Sequence, residues 1–366
     1  METTLEEIII QRIHHEGPIS FHDFMEMSLY YPRLGYYTSA SSKIGKSGDY
    51  FTSPHLTPVF GALIAKQLEE MWRILGKKEF KIVEYGAGTG FLCHDILDHL
   101  KKNDAFYDQL SYCIIEKSEE MMKKEKAHLH EKVNWYNSIR EIPNLSGCIL
   151  SNELLDNLSI HQVVMQDDLM EVYVSFDPSK GFVEVLKPAS EKLKEYLQEL
   201  HVILPKGFRT EINLEAIEWI KDIADHLREG YILTIDYGYS SNELYHERKK
   251  NGTLTCHHQH TINDHPYQYI GEQDITTHVN FSALCHWGLK QGLQCCGCTH
   301  QANFLLALGF KNQLRKNGSP DESTISQALQ ESFLTHTLLM DMGFKFKVLI
   351  QGKSVPNQQL CGLSVT

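Results

Sequence analysis
Gly86, Gly88 and Gly90 stand at alternate positions behind a short apolar run, Lys81–Tyr85, that carries an acid, Glu84, near its end. Glycine takes positive φ without strain and has no Cβ, so backbone at such a turn can close on a ligand. A helix starting near Phe91 would aim its first amides at the same place. The dinucleotide fingerprint places its third glycine one residue later, so the tighter spacing here suits S-adenosylmethionine better than a pyrophosphate. The next apolar run, SYCIIE, ends at Glu116. In doubly wound folds an acid at that place binds ribose hydroxyls. Without a ligand, the same residues would be an ordinary βα turn and a solvent-facing glutamate.

A second group suits the other half of a transfer reaction. Ser151–Asn157 reads SNELLDN and follows the fourth apolar run of the same series. Ligands in such folds bind beyond the carboxyl ends of the strands. Asn152 offers an amide, and Glu153 and Asp156 offer carboxylates three positions apart, a spacing that shares one face of a helical turn. Carboxylates hold a cationic guanidinium bidentately and draw its charge away from the attacking nitrogen. The same residues would also make a plain helix start, with an N-cap followed by acids in the first turn. Gly48-Asp49-Tyr50, inside a long loop, and Asp236-Tyr237-Gly238, after another apolar run, are further candidates on the ligand side. Asn137, after the third run, could reach an adenine.

These groups need a scaffold, and the hydrophobic pattern supplies one. Strands over 81–85, 111–116, 132–136 and 147–151 alternate with helices over 91–102 and 118–129, the first half of a parallel, doubly wound α/β sheet. Residues 231–235 resume it, and late strands fall near 293–298 and 344–350. Residues 161–176 read as a hairpin around Gln166-Asp167-Asp168, 191–200 and 214–228 as helices, and 238–282 as a polar, His-rich insertion. Ser20 is positioned to cap a helix over 21–29, and 59–75 is helical by spacing. The expected division is a helical region with a covering loop over 1–75, a Rossmann-like core over 76–160, 230–240 and 283–366, and an inserted lobe over 161–229 and 241–282.

Composition narrows the function further. The chain has 366 residues, 35 Lys and Arg against 47 Asp and Glu, and a formal charge of −12. Nucleic-acid binding needs basic patches, so nucleic acid is not expected as a partner. A cationic protein side chain is compatible with the acidity. No apolar run reaches membrane-spanning length. The acidic, amphipathic start, METTLEEIIIQRIHHEG, resembles neither a signal nor a transit peptide, which suggests a cytoplasmic location. Cys295, Cys296 and Cys298 lack a second Cys/His pair at zinc spacing and read as buried thiols. His257, His258, His260 and His265 read as a loop, and no metal is expected.

In order along the chain, GPISFHDFMEMSLYYPRLGYYT, GDYFTSPHLTPVFG, EYGAGTG, SNELLDNLSIHQ, IDYGY, GEQDITTHVNFSAL and FKFKVL resemble the MidA-type methyltransferases. The likeness runs from about residue 5 to about residue 350. It implies a class I methyltransferase fold with a mostly parallel, seven-stranded sheet and S-adenosylmethionine as cofactor. For the mitochondrial member it implies arginine methylation of a respiratory complex I subunit. By position it implies that Gly86, Gly88, Gly90 and Glu116 serve the cofactor; Glu84 and Asn137 are cofactor-side candidates from the strand pattern itself. Gly48, Asp49 and Tyr50 match the family's other cofactor-side motif, and Asn152, Glu153 and Asp156 its transfer-site motif. The chain departs from the family at Tyr85, Thr255 and Phe344, none of which belongs to these sets. A methyltransferase of small metabolites, a cofactor-binding assembly factor and a nicotinamide oxidoreductase are the competing readings.

Overall fold
A computed structural model of the chain describes residues 3–39, 53–129, 131–316 and 324–364, and these group into two units. The first unit comprises Met1–Tyr50, Leu155–Ile220 and Gly238–His286, and the second Phe51–Leu154, Lys221–Tyr237 and Trp287–Thr366. Within the expected helical region over 1–75, the described residues 3–39 belong to the first unit and 53–75 to the second.

The second unit carries the glycine turn. Its strands are β1 (Phe80–Tyr85), β2 (Leu110–Ile115), β3 (Val133–Tyr136), β4 (Ser146–Asn152), β5 (Glu229–Tyr239), β6 (Gln294–His300) and β7 (Phe346–Lys353). They lie in the order β6-β7-β5-β4-β1-β2-β3. All neighbours are parallel except β7, which runs antiparallel to β5 and to β6. This is the mostly parallel, doubly wound sheet that the sequence pattern anticipates. Strands covered on both faces read as continuous apolar runs, and Gly147–Ser151 of β4 are all buried.

Helices α1 (Ser53–Leu56), α2 (Pro58–Ile74) and α3 (Phe91–Leu100) belong to the same unit. The apolar face of α2, with Phe60, Leu63, Ile64 and Leu68, and that of α3, with Leu92, Ile96 and Leu100, share one core with Ile82, Ile114, Leu150 and Leu233 of the sheet. A Cβ at Gly61 would stand 2.5 Å from Asp95 Cβ, so glycine at this position of α2 lets α3 approach. Near the start of β1, Phe106 stacks on Trp72 with centroids 4.6 Å apart and meets Phe80 edge-on at 5.4 Å.

The first unit contains a five-stranded antiparallel sheet of Ile19–Ser20, His161–Met165, Leu169–Asp177, Gly181–Pro188 and Arg209–Ile212. The expected hairpin over 161–176 is present and gains Gly181–Pro188 as a further strand. Ser20 caps the helix Phe21–Tyr30 by accepting from the Asp23 amide at 3.0 Å. Phe21, Phe24, Tyr36, Val172 and Val174 form this unit's own core.

Two expectations need correction here. The His-rich stretch is not simply a loop: His257 and His258 lie in a strand, Thr255–His258, paired with Thr261–Asn263 and Asp274–Thr276. At Asp236-Tyr237-Gly238 the strand β5 runs on to Tyr239, and Gly238 and Tyr239, which belong to the first unit, pair with Val279 and Asn280 of the same unit. The cysteines near the chain end are not a buried set: Cys295 and Cys298, at the edge of the sheet, are exposed. Among the described residues, no group of three or more His, Cys, Asp or Glu is arranged to hold a metal ion.

Candidate active site
The turn between β1 and α3 has all three glycines in the left-handed region, with φ of +63° at Gly86, +59° at Gly88 and +78° at Gly90. Gly90 is the N-cap of α3, and it offers no side chain to cap that helix start. The exit of β4 comes down on the same turn: a Cβ at Gly86 would lie 3.0 Å from Leu154 Cδ1. A cradle this close, beside a helix that starts at a glycine, fits the glycine-lined approach that a nucleoside cofactor requires.

Glu153 sits at the centre of this arrangement. Its φ of +53° is left-handed, which is unusual for a residue with a side chain. Strain of this kind persists where the surroundings over-determine it and concentrates at functional sites. Those surroundings are explicit. The Glu153 amide donates to the Ile235 carbonyl at 2.9 Å, and the Leu154 amide donates to Asp236 Oδ2 at 3.2 Å. Asp236, 1% exposed, also accepts from the Tyr237 amide at 2.9 Å. The Glu153 carboxylate accepts from Asn152 Nδ2 at 3.1 Å and from the Ser53 amide at 3.4 Å. Asn152 Oδ1 is buried and has no hydrogen-bond partner among the described residues.

The left-handed residue corrects one sequence expectation. Glu153 and Asp156 do not share an α-helical turn, because the chain leaves β4 through Glu153 and makes only a 3₁₀ turn at Leu155–Asn157. Asp156 belongs to the first unit, where it is buried and its carbonyl accepts from the Thr277 amide at 2.8 Å. In that unit Tyr30 donates to Asn157 Oδ1 at 2.8 Å, and Tyr37 donates to Asp274 at 2.8 Å.

The cofactor-side acids differ in setting. Glu116, just past β2, accepts from the Ser118 amide at 2.6 Å, which fixes its carboxylate, while burial pushes its pKa up. Glu84 is 3% exposed and accepts from the Tyr112 hydroxyl at 2.7 Å. Burial raises its pKa to about 7, against the lowering effect of that hydrogen bond. Glu84 thus supports the turn from the core side. Asn137 is exposed after β3, with its amide 3.4 Å from Glu141 Oε2. Gly48, Asp49 and Tyr50 lie outside the described residues.

Several residues had no signal in the sequence pattern. Thr89 Oγ1 lies 3.0 Å from His55 Nε2, and His55 meets Phe91 edge-on at 5.1 Å. Glu125 accepts from the Trp135 indole at 2.7 Å, and burial raises its pKa to about 8. Gln301, at the carboxyl end of β6, is fully buried, and neither amide atom has a hydrogen-bond partner among the described residues. Only a motif already associated with these positions could have singled them out.

Residues 63–299 match the model of a family described as "Putative S-adenosyl-L-methionine-dependent methyltransferase". A Caenorhabditis elegans protein named protein arginine methyltransferase NDUFAF7 homolog, mitochondrial, is 28% identical over 94% of this chain and 85% of its own length. The human protein arginine methyltransferase NDUFAF7, mitochondrial, is 25% identical over 97% of this chain and 84% of its own. A crystal structure from Burkholderia thailandensis bound to S-adenosyl-homocysteine superposes with a TM-score of 0.88 at 28% identity, covering 98% of this chain and 94% of that one. The names of the two relatives place them in mitochondria, and this overturns the cytoplasmic expectation drawn from the first residues. Those residues instead form the helix Leu5–Glu16 of the fold, closed by a Thr4–Glu7 capping box.

Proposed function
We propose, for a chain that belongs to the S-adenosyl-L-methionine-dependent methyltransferase family, that the methyl acceptor is an arginine side chain of a partner protein. The names of the relatives support this acceptor. The structural observation that carries it is Glu153, a carboxylate held by a left-handed backbone beside the glycine turn. A mitochondrial setting accompanies the proposal, and a respiratory complex I subunit is the partner that the family resemblance implies.

In this reading Gly86, Gly88 and Gly90 let backbone close on the cofactor, and Glu116, fixed by the Ser118 amide, receives the ribose hydroxyls. Glu84 braces the turn from behind, and Asn137 is assigned to the adenine. When bound, S-adenosylmethionine supplies an electrophilic methyl group on a sulfonium sulfur. Glu153 accepts hydrogen bonds from the guanidinium and draws its charge away from the attacking nitrogen. Asn152, whose amide donates to Glu153, holds that carboxylate in place. Reaction then depends on alignment, with the nitrogen held about 3 Å from the methyl carbon. Asp156 is proposed as a second carboxylate required for turnover.

The test is transfer from isotopically labelled donor to protein substrate, with mass mapping of the modified residue. Glu153→Gln is expected to lower kcat by about a hundredfold or more, with affinity for S-adenosyl-homocysteine retained. Unchanged turnover in that variant would remove Glu153 from its role, and label on a residue other than arginine would refute the acceptor.

A further inference from the structure
The helix α1 is only four residues long, yet it touches both halves of the site. At one end the Ser53 amide donates to Glu153 Oε1 at 3.4 Å. Two residues later, His55 Nε2 lies 3.0 Å from Thr89 Oγ1, between the second and third glycines of the turn, and its ring stands edge-on to Phe91 at 89°. Ser53 is fully buried. Burial lowers the His55 pKa, which favours the neutral imidazole. Thr57 closes the segment by capping α2, accepting from the Val59 amide at 3.3 Å, and Pro58 fixes the first position of that helix. The segment is thus anchored to the core at one end and to the glycine turn in its middle.

We propose that His55 is a positioning residue, fastening Ser53–Leu56 to Thr89 so that the Ser53 amide holds the Glu153 carboxylate in its working orientation. The inference rests on the role assigned to Glu153 above. It adds that this orientation is set from the cofactor turn, so a side chain that touches neither acceptor nor reacting atoms governs the transfer step.

The test uses the full chain and three substitutions. His55→Ala removes the ring, Thr89→Val removes the hydroxyl at nearly constant shape, and His55→Gln restores a polar atom near the place of Nε2. Both His55→Ala and Thr89→Val are expected to lower kcat about tenfold while the affinity for S-adenosyl-homocysteine, measured by calorimetry, stays within about twofold. His55→Gln should recover most of the loss. The acidic limb of the kcat–pH profile should move to higher pH in His55→Ala, because Glu153 loses a hydrogen bond to its charged form. In a Glu153→Gln background, His55→Ala should cost little more, since both act through one carboxylate. Full additivity in the double variant, or an unmoved pH limb, would overturn the positioning role even if Glu153→Gln is inactive. Full activity of Glu153→Gln would instead overturn the reading on which the inference rests. Equal losses of cofactor affinity and kcat would show that His55 serves only the shape of the turn.

Discussion

Glu84 shows how a single side chain links the fold to the pH scale. Its carboxyl is buried against Tyr112, and its pKa rises from 4.5 in the unfolded reference to about 7 in the folded protein. Between those values the folded state keeps a proton that the unfolded state has released, so stability falls as pH rises through this window and levels off above it. Glu84→Gln keeps an acceptor for Tyr112 but cannot ionise. Relative to this variant, the natural protein should lose up to about 3 kcal/mol between pH 5 and pH 8, read as a widening gap in denaturant midpoint. A gap that does not change with pH would mean that Glu84 is ionised in the folded state. Glu153 presents the opposite case, in which the backbone carries the strain. Glycine relieves a left-handed φ, so Glu153→Gly is expected to keep or raise the melting temperature while abolishing transfer. Loss of stability in that variant would show that the side chain holds the loop.

At the scale of elements, the strand–turn–helix unit of β1 and α3 is packed by aromatic side chains far from the turn. Phe106, fully buried between Trp72 and Phe80, is the clearest example. Phe106→Ala should cost about 4 kcal/mol by urea denaturation, with the cofactor affinity of the remaining folded protein unchanged. A change below about 1 kcal/mol would mean that the site collapses around the smaller residue. The same unit was the most legible part of the sequence, because its apolar period and its glycines are local. Strands β1 to β4 fall within about two residues of where the pattern places them, since buried parallel strands read as continuous apolar runs. Gly181–Pro188 escaped notice because it is half exposed and mixes Lys and Glu with its apolar residues. Thr255–His258 and its partners escaped because strands of three or four residues, each with a single apolar member, are too short to show a period. The geometry at SNELLDN was also hidden: acids three apart suit a helix start, and only the pairing of β4 with β5 shows that the chain leaves the strand through a left-handed residue. His55 and Thr89 lie 34 positions apart, so their contact is a product of tertiary structure alone.

The whole molecule is acidic, with a net charge of −12. A basic protein acceptor would feel that field beyond the site itself, and added salt screens it within about 10 Å at 0.1 M. Raising ionic strength from about 0.05 M to about 0.5 M should therefore raise KM for a protein acceptor several-fold, with a much smaller effect on KM for the cofactor. Equal effects on both would assign the salt dependence to the cofactor site. The division into units was less legible than the fold class, because residues 1–75 read as one helical region although they are shared between the two units. Composition near the start was also a poor guide to location, since an amphipathic acidic helix there is accounted for by its capping box and its buried Leu5, Ile9 and Ile13. The claim beneath all of these is that the turn at Gly86, Gly88 and Gly90 holds the sulfonium nucleoside. Titration calorimetry with S-adenosyl-homocysteine on the natural protein and on Gly88→Val tests it directly, because a β-branched side chain at φ +59° disrupts the turn and fills the approach. One-to-one binding by the natural protein and none by a folded Gly88→Val is the predicted result. Equal affinity in the two proteins would contradict it.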